Sequence, residues 1–318
     1  MNTKNLTAVA LATLFAAGTA AAQDTKVAIA ISGWTGFAPL TLANEAGLFK
    51  KQGLDVTIKK IPQKDRHLAI ASGDVQCAAT TVETWIAWNA AGVATTQIFQ
   101  LDKSFGADGM VVKPTIAKIT DLKGKTMAAD APGTATYFTL AWMLKKNGLS
   151  VKDVKVVNLS PQAAANAMIA GNNDIDGGMT YEPFLSAVRA KPEAGKIIAT
   201  TLDYPMVMDT FGCTPKFLAD NPKAAQGLTN AYFDALEMIK AEPKKSFEIM
   251  GADVKQSGEA FEASQKYLRW QDKAANQKFF ADGEHARFSK EAADLLLEIG
   301  IVKQIPDLTK LADTRFIK

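Results

Sequence analysis

One structural pattern occurs twice in this chain, and it constrains the fold more than any other feature of the sequence. Residues 69–83 have the character of a helix end, a glycine, an acidic residue, a strand and the ending Thr81-Val82-Glu83. Residues 167–182 repeat that order and finish with Thr180-Tyr181-Glu182. Ligands bind outside the carboxyl ends of strands in open α/β sheets. The repeat therefore predicts two similar α/β lobes whose loops face one cleft.

Strands and helices alternate in the segments around the first repeat. The sequence predicts strands over residues 26–31, 54–58 and 75–79, with helices over residues 40–49 and 67–71 between them. This β-α-β-α-β order indicates a mostly parallel sheet with right-handed crossovers. The pattern starts again after residue 119, which is consistent with a second lobe built on the same plan.

The predicted fold class is therefore α/β, with two lobes that are joined by two chain crossings and flanked by helices. We expect the first lobe to comprise residues 26–112 and 208–318, and the second to comprise residues 113–204. A length near 300 residues fits this division, because single hydrophobic cores stop growing at about that size. Apolar residues at three- and four-residue spacing predict four helices that pack on the first lobe, over residues 222–241, 243–250, 257–267 and 289–299.

The first 22 residues have the pattern of a cleaved export signal. Lys4 precedes an apolar run over residues 6–17, and Ala20-Ala21-Ala22 follows it. The run is too short to span a bilayer, which takes about 20 apolar residues. We therefore expect a mature chain in the periplasm. Loss of Lys4 takes the formal net charge from +3 to +2.

Charge and composition argue against several classes of function. A nearly neutral chain with basic and acidic residues interspersed has no basic stripe for nucleic acid. The two cysteines, Cys77 and Cys213, are too far apart for a CxxC motif, and His67 and His285 are the only histidines. We therefore expect no metal, no cofactor and no catalytic triad. The sequence leaves open whether the cysteines, both assigned to the first lobe, form a disulfide in an oxidising compartment.

A glycine-rich loop at residues 32–37 follows the first predicted strand and precedes a helix. Gly33 and Gly36 would let the backbone approach a ligand closely, Trp34 would supply an apolar wall, and Thr35 would supply a hydroxyl. The same residues would equally suit an ordinary strand-to-helix turn whose aromatic side chains belong to the core. A second turn with glycine and threonine, residues 130–137, stands at the corresponding junction of the second half.

Ten residues at these loop ends are the predicted ligand contacts. Each also has a structural alternative, because threonines cap helices, acidic residues favour helix N-termini and lysines are usually solvated. One group is expected from the first lobe and the other from the second: Trp34, Thr35, Lys64, Thr81 and Glu83, facing Thr134, Thr136, Tyr137, Tyr181 and Glu182.

Several segments resemble the substrate-binding proteins of the nitrate, sulfonate and taurine (NitT/TauT) branch of ABC importers. The resemblance is carried by Gly-Trp-Thr-Gly-Phe-Ala-Pro-Leu at residues 33–40 and by Glu-Ala-Gly-Leu-Phe-Lys-Lys-Gln-Gly-Leu-Asp-Val at residues 45–56, the more specific of the two. Ile-Ala-Ser-Gly-Asp-Val at residues 70–75 and Tyr-Glu-Pro at residues 181–183 add to it. The turn at residues 130–137 departs from the family's usual small-residue and serine pattern.

This resemblance implies a type II periplasmic binding fold that closes on a small molecule and delivers it to an ABC permease in the inner membrane. It also implies a monomer with no enzymatic activity. Fungal pyrimidine-precursor synthases are similar in fold, but they rely on histidine and a cysteine-rich iron motif, and this chain has no cysteine cluster. An enzyme of that kind is the alternative to a binding protein.

Charged residues near the predicted cleft leave the solute open. Lys64 and Arg66 favour an anion, whereas Asp65, Glu83 and Glu182 favour an amine or a neutral nitrogen compound. A zwitterion such as taurine satisfies both requirements. We therefore expect a sulfonate or taurine-like solute, with a urea-, pyrimidine- or amine-like solute as the alternative.

Overall fold

The computed structural model describes residues 23–318, so the predicted export signal lies outside the described residues. The strands of this part are β1 (Thr25–Ile31), β2 (Leu54–Lys60), β3 (Cys77–Thr81), β4 (Thr96–Ser104), β5 (Asp108–Val112), β6 (Thr126–Ala129), β7 (Lys155–Asn158), β8 (Gly177–Tyr181), β9 (Lys196–Thr200), β10 (Met208–Cys213) and β11 (Leu268–Trp270). Its helices are α1 (Ala38–Glu45), α2 (Leu48–Lys51), α3 (Gln63–Ala71), α4 (Val82–Ala90), α5 (Ala135–Lys146), α6 (Pro161–Ile169), α7 (Phe184–Arg189), α8 (Pro215–Asp220), α9 (Pro222–Ala241), α10 (Pro243–Asp253), α11 (Gly258–Gln265), α12 (Lys273–Ala281) and α13 (Glu284–Glu298).

Two mixed sheets form the two lobes. The six-stranded sheet has the order β11-β4-β10-β3-β1-β2, and the five-stranded sheet has the order β7-β6-β8-β5-β9. In each sheet three strands pair in parallel through helical crossovers, as the β-α-β pattern predicts. The two-lobed α/β fold predicted from the sequence is confirmed.

The sheets are less parallel than the sequence predicts, because the chain crosses between the lobes twice. Residues 105–107 lead from β4 to β5, and residues 201–207 lead from β9 back to β10. Strand β5 enters the second sheet antiparallel to β8 and β9, and β10 re-enters the first sheet antiparallel to β3 and β4. Residues 109–112, which the sequence assigns to the first lobe, therefore pair in the second sheet.

Helices cover the first sheet and connect it with the second lobe. The predicted helix over residues 222–241 has those bounds in the structure, and it buries Phe99, Phe211 and Tyr232 as a stacked aromatic group. The last predicted helix begins earlier, at Glu284 in α13, and its apolar face packs with α4, α5 and the crossing residue Val207 in one core cluster. Helix α12 and strand β11 are not predicted from the sequence. The C-terminal helices thus pack on both lobes and on a crossing.

A disulfide joins Cys77 and Cys213. The two residues lie directly opposite each other on the antiparallel strands β3 and β10, with their Cα atoms 3.9 Å apart. Both are fully buried. The bond therefore ties the strand that returns from the second lobe to the central strand of the first sheet.

Candidate functional site

A cavity of about 30 Å³ lies where the two lobes meet, beside both chain crossings. Its walls include the residue after β1, the end of β3, the start of β5, the end of β8 and the second residue of β10. The lining residues are Ser32, Trp34, Phe37, Gln63, Arg66, Thr81, Asp108, Ala135, Tyr181, Val207 and Asp209. Both lobes contribute, so the cavity is an inter-lobe site.

An outer groove of about 280 Å³ adjoins this inner cavity. The two spaces share Ser32, Gln63 and Tyr181, which therefore separate them. The outer groove is lined further by Lys60, Asp130, Gln162 and other residues at the loop ends of both lobes. These three residues thus form the boundary between the inner cavity and the groove.

The strand register of the first sheet brings two aspartates and a threonine side by side. Asp209 on β10 pairs with Asp102 on β4 on one side and with Thr81 on β3 on the other. Directly paired residues on adjacent strands point to the same face of a sheet. Asp209 and Thr81 line the cavity, whereas Asp102 is fully buried behind it.

Trp34 connects the glycine-rich loop to Asp102, the buried member of these three paired residues. Its indole N–H lies 3.3 Å from both carboxylate oxygens of Asp102, and its ring meets Tyr181 of the second lobe edge to face with centroids 5.3 Å apart. A Cβ at Gly36 would lie 2.2 Å from an Asp102 oxygen and 2.2 Å from the Trp34 nitrogen. Glycine is required at this position so that Trp34 and Asp102 can meet, whereas Gly33 has open space around it.

Arg66 is the cation of the inner cavity. The side chain is 1% exposed, and it donates from Nε to the carbonyl oxygen of Ile61 at 2.9 Å and from Nη1 to that of Ala79. Its Nη2 is buried and has no hydrogen-bond partner among residues 23–318. Burial lowers the pKa of Arg66 to about 10, so it remains charged at neutral pH. The unpartnered donor suits an acceptor group on a ligand.

Two further carboxyl groups lie in or beside the cavity without full hydrogen bonding. Asp108 lines the cavity from the second lobe, and its Oδ2 is buried with no partner within the described residues. Glu83, in the first turn of α4, is 1% exposed, and neither of its carboxylate oxygens has a partner within the same residues. Burial raises the pKa of Glu83 to about 8 and that of Asp108 to about 7.

The charge balance of the site is acidic. Burial raises the pKa of Asp102 and of Asp209 well above the usual range, and the neighbouring carboxyl groups raise both further. The Arg66 guanidinium acts in the opposite direction on Asp209. Burial also raises the pKa of Tyr181 to about 12, so its hydroxyl is neutral and can donate. The site thus combines one cation with four carboxyl groups, Glu83, Asp102, Asp108 and Asp209.

Gln63 joins the two lobes at the edge of the cavity. Its side-chain nitrogen donates to the hydroxyls of Thr80 at 2.7 Å and Thr84 at 3.0 Å. Its side-chain oxygen accepts from the backbone N–H of Ala135 at 3.1 Å, at the start of α5 in the second lobe. A helix N-terminus carries unpaired N–H donors, so Gln63 satisfies one of them from the opposite lobe.

Five of the ten sequence-predicted contacts lie at or immediately around the inner cavity. Trp34, Thr81 and Tyr181 line it. Thr35 is fully buried, and its hydroxyl has no hydrogen-bond partner in the part of the chain that the structure describes, as is also true of the Glu83 carboxylate. These two side chains do not line the cavity, but they are buried beside residues that do.

Four other predicted contacts do not reach it. Lys64 is exposed, because it lies two residues before Arg66 on α3 and so points to the opposite side of that helix. Thr134 donates to the carbonyl oxygen of Ala131 at 2.8 Å, and Thr136 accepts from the backbone N–H of Asp130 at 3.3 Å. Tyr137 is half-buried against the core of the second lobe.

Glu182, the tenth predicted contact, forms an ion pair within the second lobe. It is fully buried, pairs with Arg189 and accepts from the backbone N–H of Ser186 at 3.1 Å. Arg189 also donates to the carbonyl oxygen of Gly106 in the first crossing at 2.8 Å. Tyr181 faces the cavity, and the next residue along the chain points away from it. Glu182 therefore helps to hold the crossing and does not line the cavity in this structure.

The residues that sequence reasoning missed are Gln63, Asp108 and Asp209, and Arg66 was cited there only beside Lys64 as a loop cation. A helix that starts at Gln63, directly after Pro62, was the available signal for Gln63 and for Arg66. Such a helix places Lys64 and Arg66 on opposite faces, so that only one of them can face the cavity. For Asp209 no local signal exists, because its position depends on pairing with strands more than a hundred residues earlier. Asp108 was hidden by the placement of its strand in the wrong lobe.

Two sheets joined by two crossings, with a cavity between them, are the architecture of the periplasmic binding protein fold. The chain belongs to the NMT1/THI5-like family, whose model matches residues 34–246. The resemblance to the substrate-binding proteins of nitrate, sulfonate and taurine importers is confirmed at the level of family and fold.

Individual relatives agree with this assignment. The taurine-binding periplasmic protein of Escherichia coli strain K12 is 28% identical over 228 residues, 70% of this chain and 69% of that protein. The alkanesulfonate-binding protein SsuA from Xanthomonas axonopodis pv. citri, solved with MOPS bound, has a TM-score of 0.78 at 17% identity and covers 92% of this chain and 100% of its own. The desulfurization enzyme DSZB has a TM-score of 0.68 at 15% identity, covering 92% of this chain and 97% of its own. The fold therefore carries both binding proteins and an enzyme.

Proposed function

We propose that this protein is the periplasmic solute-binding component of an ABC importer and that its solute is a small taurine-like aminosulfonate. The observation that carries the proposal is the arrangement of opposite charges on one inter-lobe cavity. Arg66 offers an unpartnered donor, while Asp108 and Asp209 offer carboxyl groups from the second and first lobes. A molecule with an anionic end and an ammonium end would satisfy both sets.

Burial supplies the energetic reason for such a two-ended solute. Each of these three side chains is at least 97% buried. An unpaired buried polar group costs about 1–3 kcal/mol, and more when it is charged. A solute that pairs Arg66 and the aspartates together removes those costs and gains an apolar wall from Trp34, Phe37 and Tyr181.

The surplus of carboxyl groups favours one alternative. A neutral or cationic nitrogen compound, such as a urea, a pyrimidine or an amine, could donate to Asp108 and Asp209 without using Arg66. A plain sulfonate would bring no N–H donor to either aspartate, so the amine is the group of the proposed solute that the aspartates select. The presence of an ammonium or another N–H donor is thus the feature that both candidate classes share.

Partner and location follow from the family assignment as parts of the same proposal. We propose an inner-membrane ABC permease as partner, a monomer in the periplasm, and no enzymatic activity. No helix among residues 23–318 combines the length and apolar character needed to cross a membrane. Nor do these residues contain a group of three or more histidine, cysteine or acidic side chains arranged to hold a metal ion. An enzyme like DSZB is the competing class, and it needs a test of its own.

A ligand panel with matched members tests the function. Thermal shift and calorimetry would compare taurine, ethanesulfonate without the amine, and ethylamine without the sulfonate, together with urea and a pyrimidine. A ligand at about 100 times its Kd stabilises the protein by about 2.7 kcal/mol. We expect taurine to bind most tightly. Equal binding of ethanesulfonate would contradict the role of the aspartates, and a changed mass of the recovered solute would indicate an enzyme.

A further inference from the structure

Four carboxyl groups surround the inner cavity with a single guanidinium to balance them. We call Glu83, Asp102, Asp108 and Asp209 the carboxyl cluster. Asp108 and Asp209 line the cavity, Asp102 lies opposite Asp209 on the neighbouring strand, and Glu83 lies in the first turn of the helix that follows β3. All four side chains are at least 97% buried.

The other charged and titratable groups that face the cluster do not neutralise it. Arg66 is the only cation that faces it from α3, and two of its three nitrogens are already directed at backbone carbonyls. Arg189 is committed to the ion pair with Glu182, and the Glu182 carboxylate itself raises the pKa of Asp108. Tyr181 and Tyr232 are neutral near pH 7, because burial raises the pKa of each. If all four carboxyl groups were ionised, the balance with Arg66 would be three negative charges in a buried site.

The hydrogen bonds of the carboxyl cluster are also too few to stabilise four ionised carboxylates. Asp102 accepts from the indole of Trp34, whereas both oxygens of Glu83 and one oxygen of Asp108 have no well-aligned donor among residues 23–318. Burial raises the pKa of the Glu83 carboxyl by more than the Thr81 hydroxyl and the backbone N–H of Glu83 lower it. An ionised carboxylate that is buried without a donor or a counter-charge is strongly unfavourable, and such groups take up a proton instead. The geometry thus requires positive charge from outside the chain, as protons or as a cationic ligand.

We propose that the carboxyl cluster holds protons in the empty protein and releases at least one of them to solvent when a cationic or zwitterionic solute binds. The ammonium group of the solute replaces the positive charge of the released proton, and the anionic end of a zwitterionic solute is balanced by Arg66. The inference deepens the proposed function and rests on it for the solute, whereas the protonation of the empty cluster stands independently.

The direction of the proton exchange distinguishes solute classes. For a solute with an ammonium group, affinity rises with pH while the empty cluster is still protonated, by about tenfold per pH unit for each proton released. For a sulfonate without an amine, the protonated cluster is the better partner. Its affinity therefore falls as pH rises. A neutral solute would show little dependence on pH over the same range.

Infrared difference spectroscopy of the empty protein tests protonation directly. The carbonyl stretch of a protonated carboxyl group is separate from that of a carboxylate. We expect this band near pH 6, where ordinary carboxyl groups are ionised, and expect it to weaken as pH rises through about 7 and 8, where Asp108 and Glu83 lose their protons. Asp108→Asn and Glu83→Gln should each reduce it, and Asp234→Asn, which changes an exposed carboxyl group on α9, should not. Absence of the band above about pH 6 would overturn the inference.

Calorimetry of taurine binding in buffers of different ionisation enthalpy tests the exchange. Near pH 7 we expect a net release of about one proton per taurine, and less release with Asp108→Asn. Taurine binding with no release, or with proton uptake, overturns the exchange while the importer function stands. Failure of taurine to bind overturns the proposed solute, and the spectrum of the empty protein decides the protonation of the cluster separately.

Discussion

The side-chain oxygen of Gln63 accepts a hydrogen bond from the backbone N–H of Ala135 at 3.1 Å, across the boundary between the two lobes. These residues are 72 positions apart in the chain. The same glutamine is anchored in its own lobe by Thr80 and Thr84, so its position is fixed from both sides. The contact holds the start of α5 against the mouth of the inner cavity.

Replacement of Gln63 by alanine should loosen the closed arrangement of the lobes. The lost inter-lobe hydrogen bond is worth about 0.5–1.5 kcal/mol, which is enough to raise the open fraction several-fold. Small-angle scattering of the ligand-free variant should show a larger radius of gyration than the parent protein. Gln162→Ala changes an exposed glutamine at the outer groove and serves as the control. An unchanged scattering curve for Gln63→Ala would count against the inter-lobe role.

Trp34 should contribute to solute binding both as a wall and through Asp102. We expect Trp34→Ala to weaken binding by about 1–3 kcal/mol, because an apolar wall is lost and Asp102 loses its donor. Trp34→Phe keeps most of the wall and removes only the N–H, so it should have the smaller effect. Trp88→Phe changes a buried indole away from the cavity and is the control for general loss of packing. If Trp34→Ala and Trp34→Phe bind the solute as tightly as the control Trp88→Phe does, the cavity is not the binding site.

Arg66 and Lys64 provide a paired test of the anionic end of the solute. Arg66→Lys removes the planar fork and the unpartnered Nη2 donor, and it should weaken taurine binding by about 2–5 kcal/mol. Lys64→Met removes an exposed charge outside the cavity and should change binding by less than about 0.5 kcal/mol. The melting temperature of each variant separates loss of binding from loss of fold. A larger effect of Lys64→Met than of Arg66→Lys would restore the sequence-based choice.

The disulfide predicts the redox behaviour of the protein. Under denaturing conditions we expect no reactive thiols before reduction and two afterwards, since the chain has two cysteines. The bond spans 136 residues. Its loss in the Cys77→Ala, Cys213→Ala double variant should therefore lower stability by about 2–5 kcal/mol. Denaturant unfolding of that variant measures the change in the free energy of unfolding. If the double variant is as stable as the parent protein, the disulfide does not contribute to stability.

Stability should fall as pH rises from about 6.5 to about 8. Glu83 and Asp108 have raised pKa values, about 8 and about 7, so in this range the folded protein holds protons that the unfolded chain has lost. Each retained proton then costs about 1.4 kcal/mol of stability per pH unit. Burial lowers the pKa of His285 to about 4, so this residue makes the stability rise with pH between about pH 4 and 6.5. It therefore does not oppose the fall in stability that is expected from about pH 6.5 to 8.

Unfolding of the ligand-free protein in denaturant at several pH values checks this slope. Glu83→Gln and Asp108→Asn keep the shape of each side chain without its charge, so each should flatten the dependence and raise stability near pH 8. Asp234→Asn, at an exposed position, should leave the slope as it is. A stability that rises between pH 6.5 and 8 in the parent protein would refute the assignment of protons to these carboxyl groups.

Local sequence patterns determined the larger elements of this protein. The repeated strand ends gave two α/β lobes, and apolar spacing gave α9 with its bounds, because both depend on neighbours within a few residues. They also placed Trp34, Thr81 and Tyr181 at the cleft, since Thr81 and Tyr181 end strands and Trp34 lies in the loop after one, on the side where ligands bind in such a fold. The aromatic and hydroxyl wall of the site was therefore predictable from the sequence.

Only the tertiary structure determined which charged side chains reach the cavity. Asp209 reaches the cavity because β10 returns antiparallel beside β3, and Asp108 reaches it because β5 pairs in the second sheet. Lys64 and Arg66 exchanged roles once α3 was seen to begin at Gln63, since two residues of a helix point about 200° apart. Strand partners and helix phase set where a side chain points, and both are fixed by packing between segments that are distant in the chain.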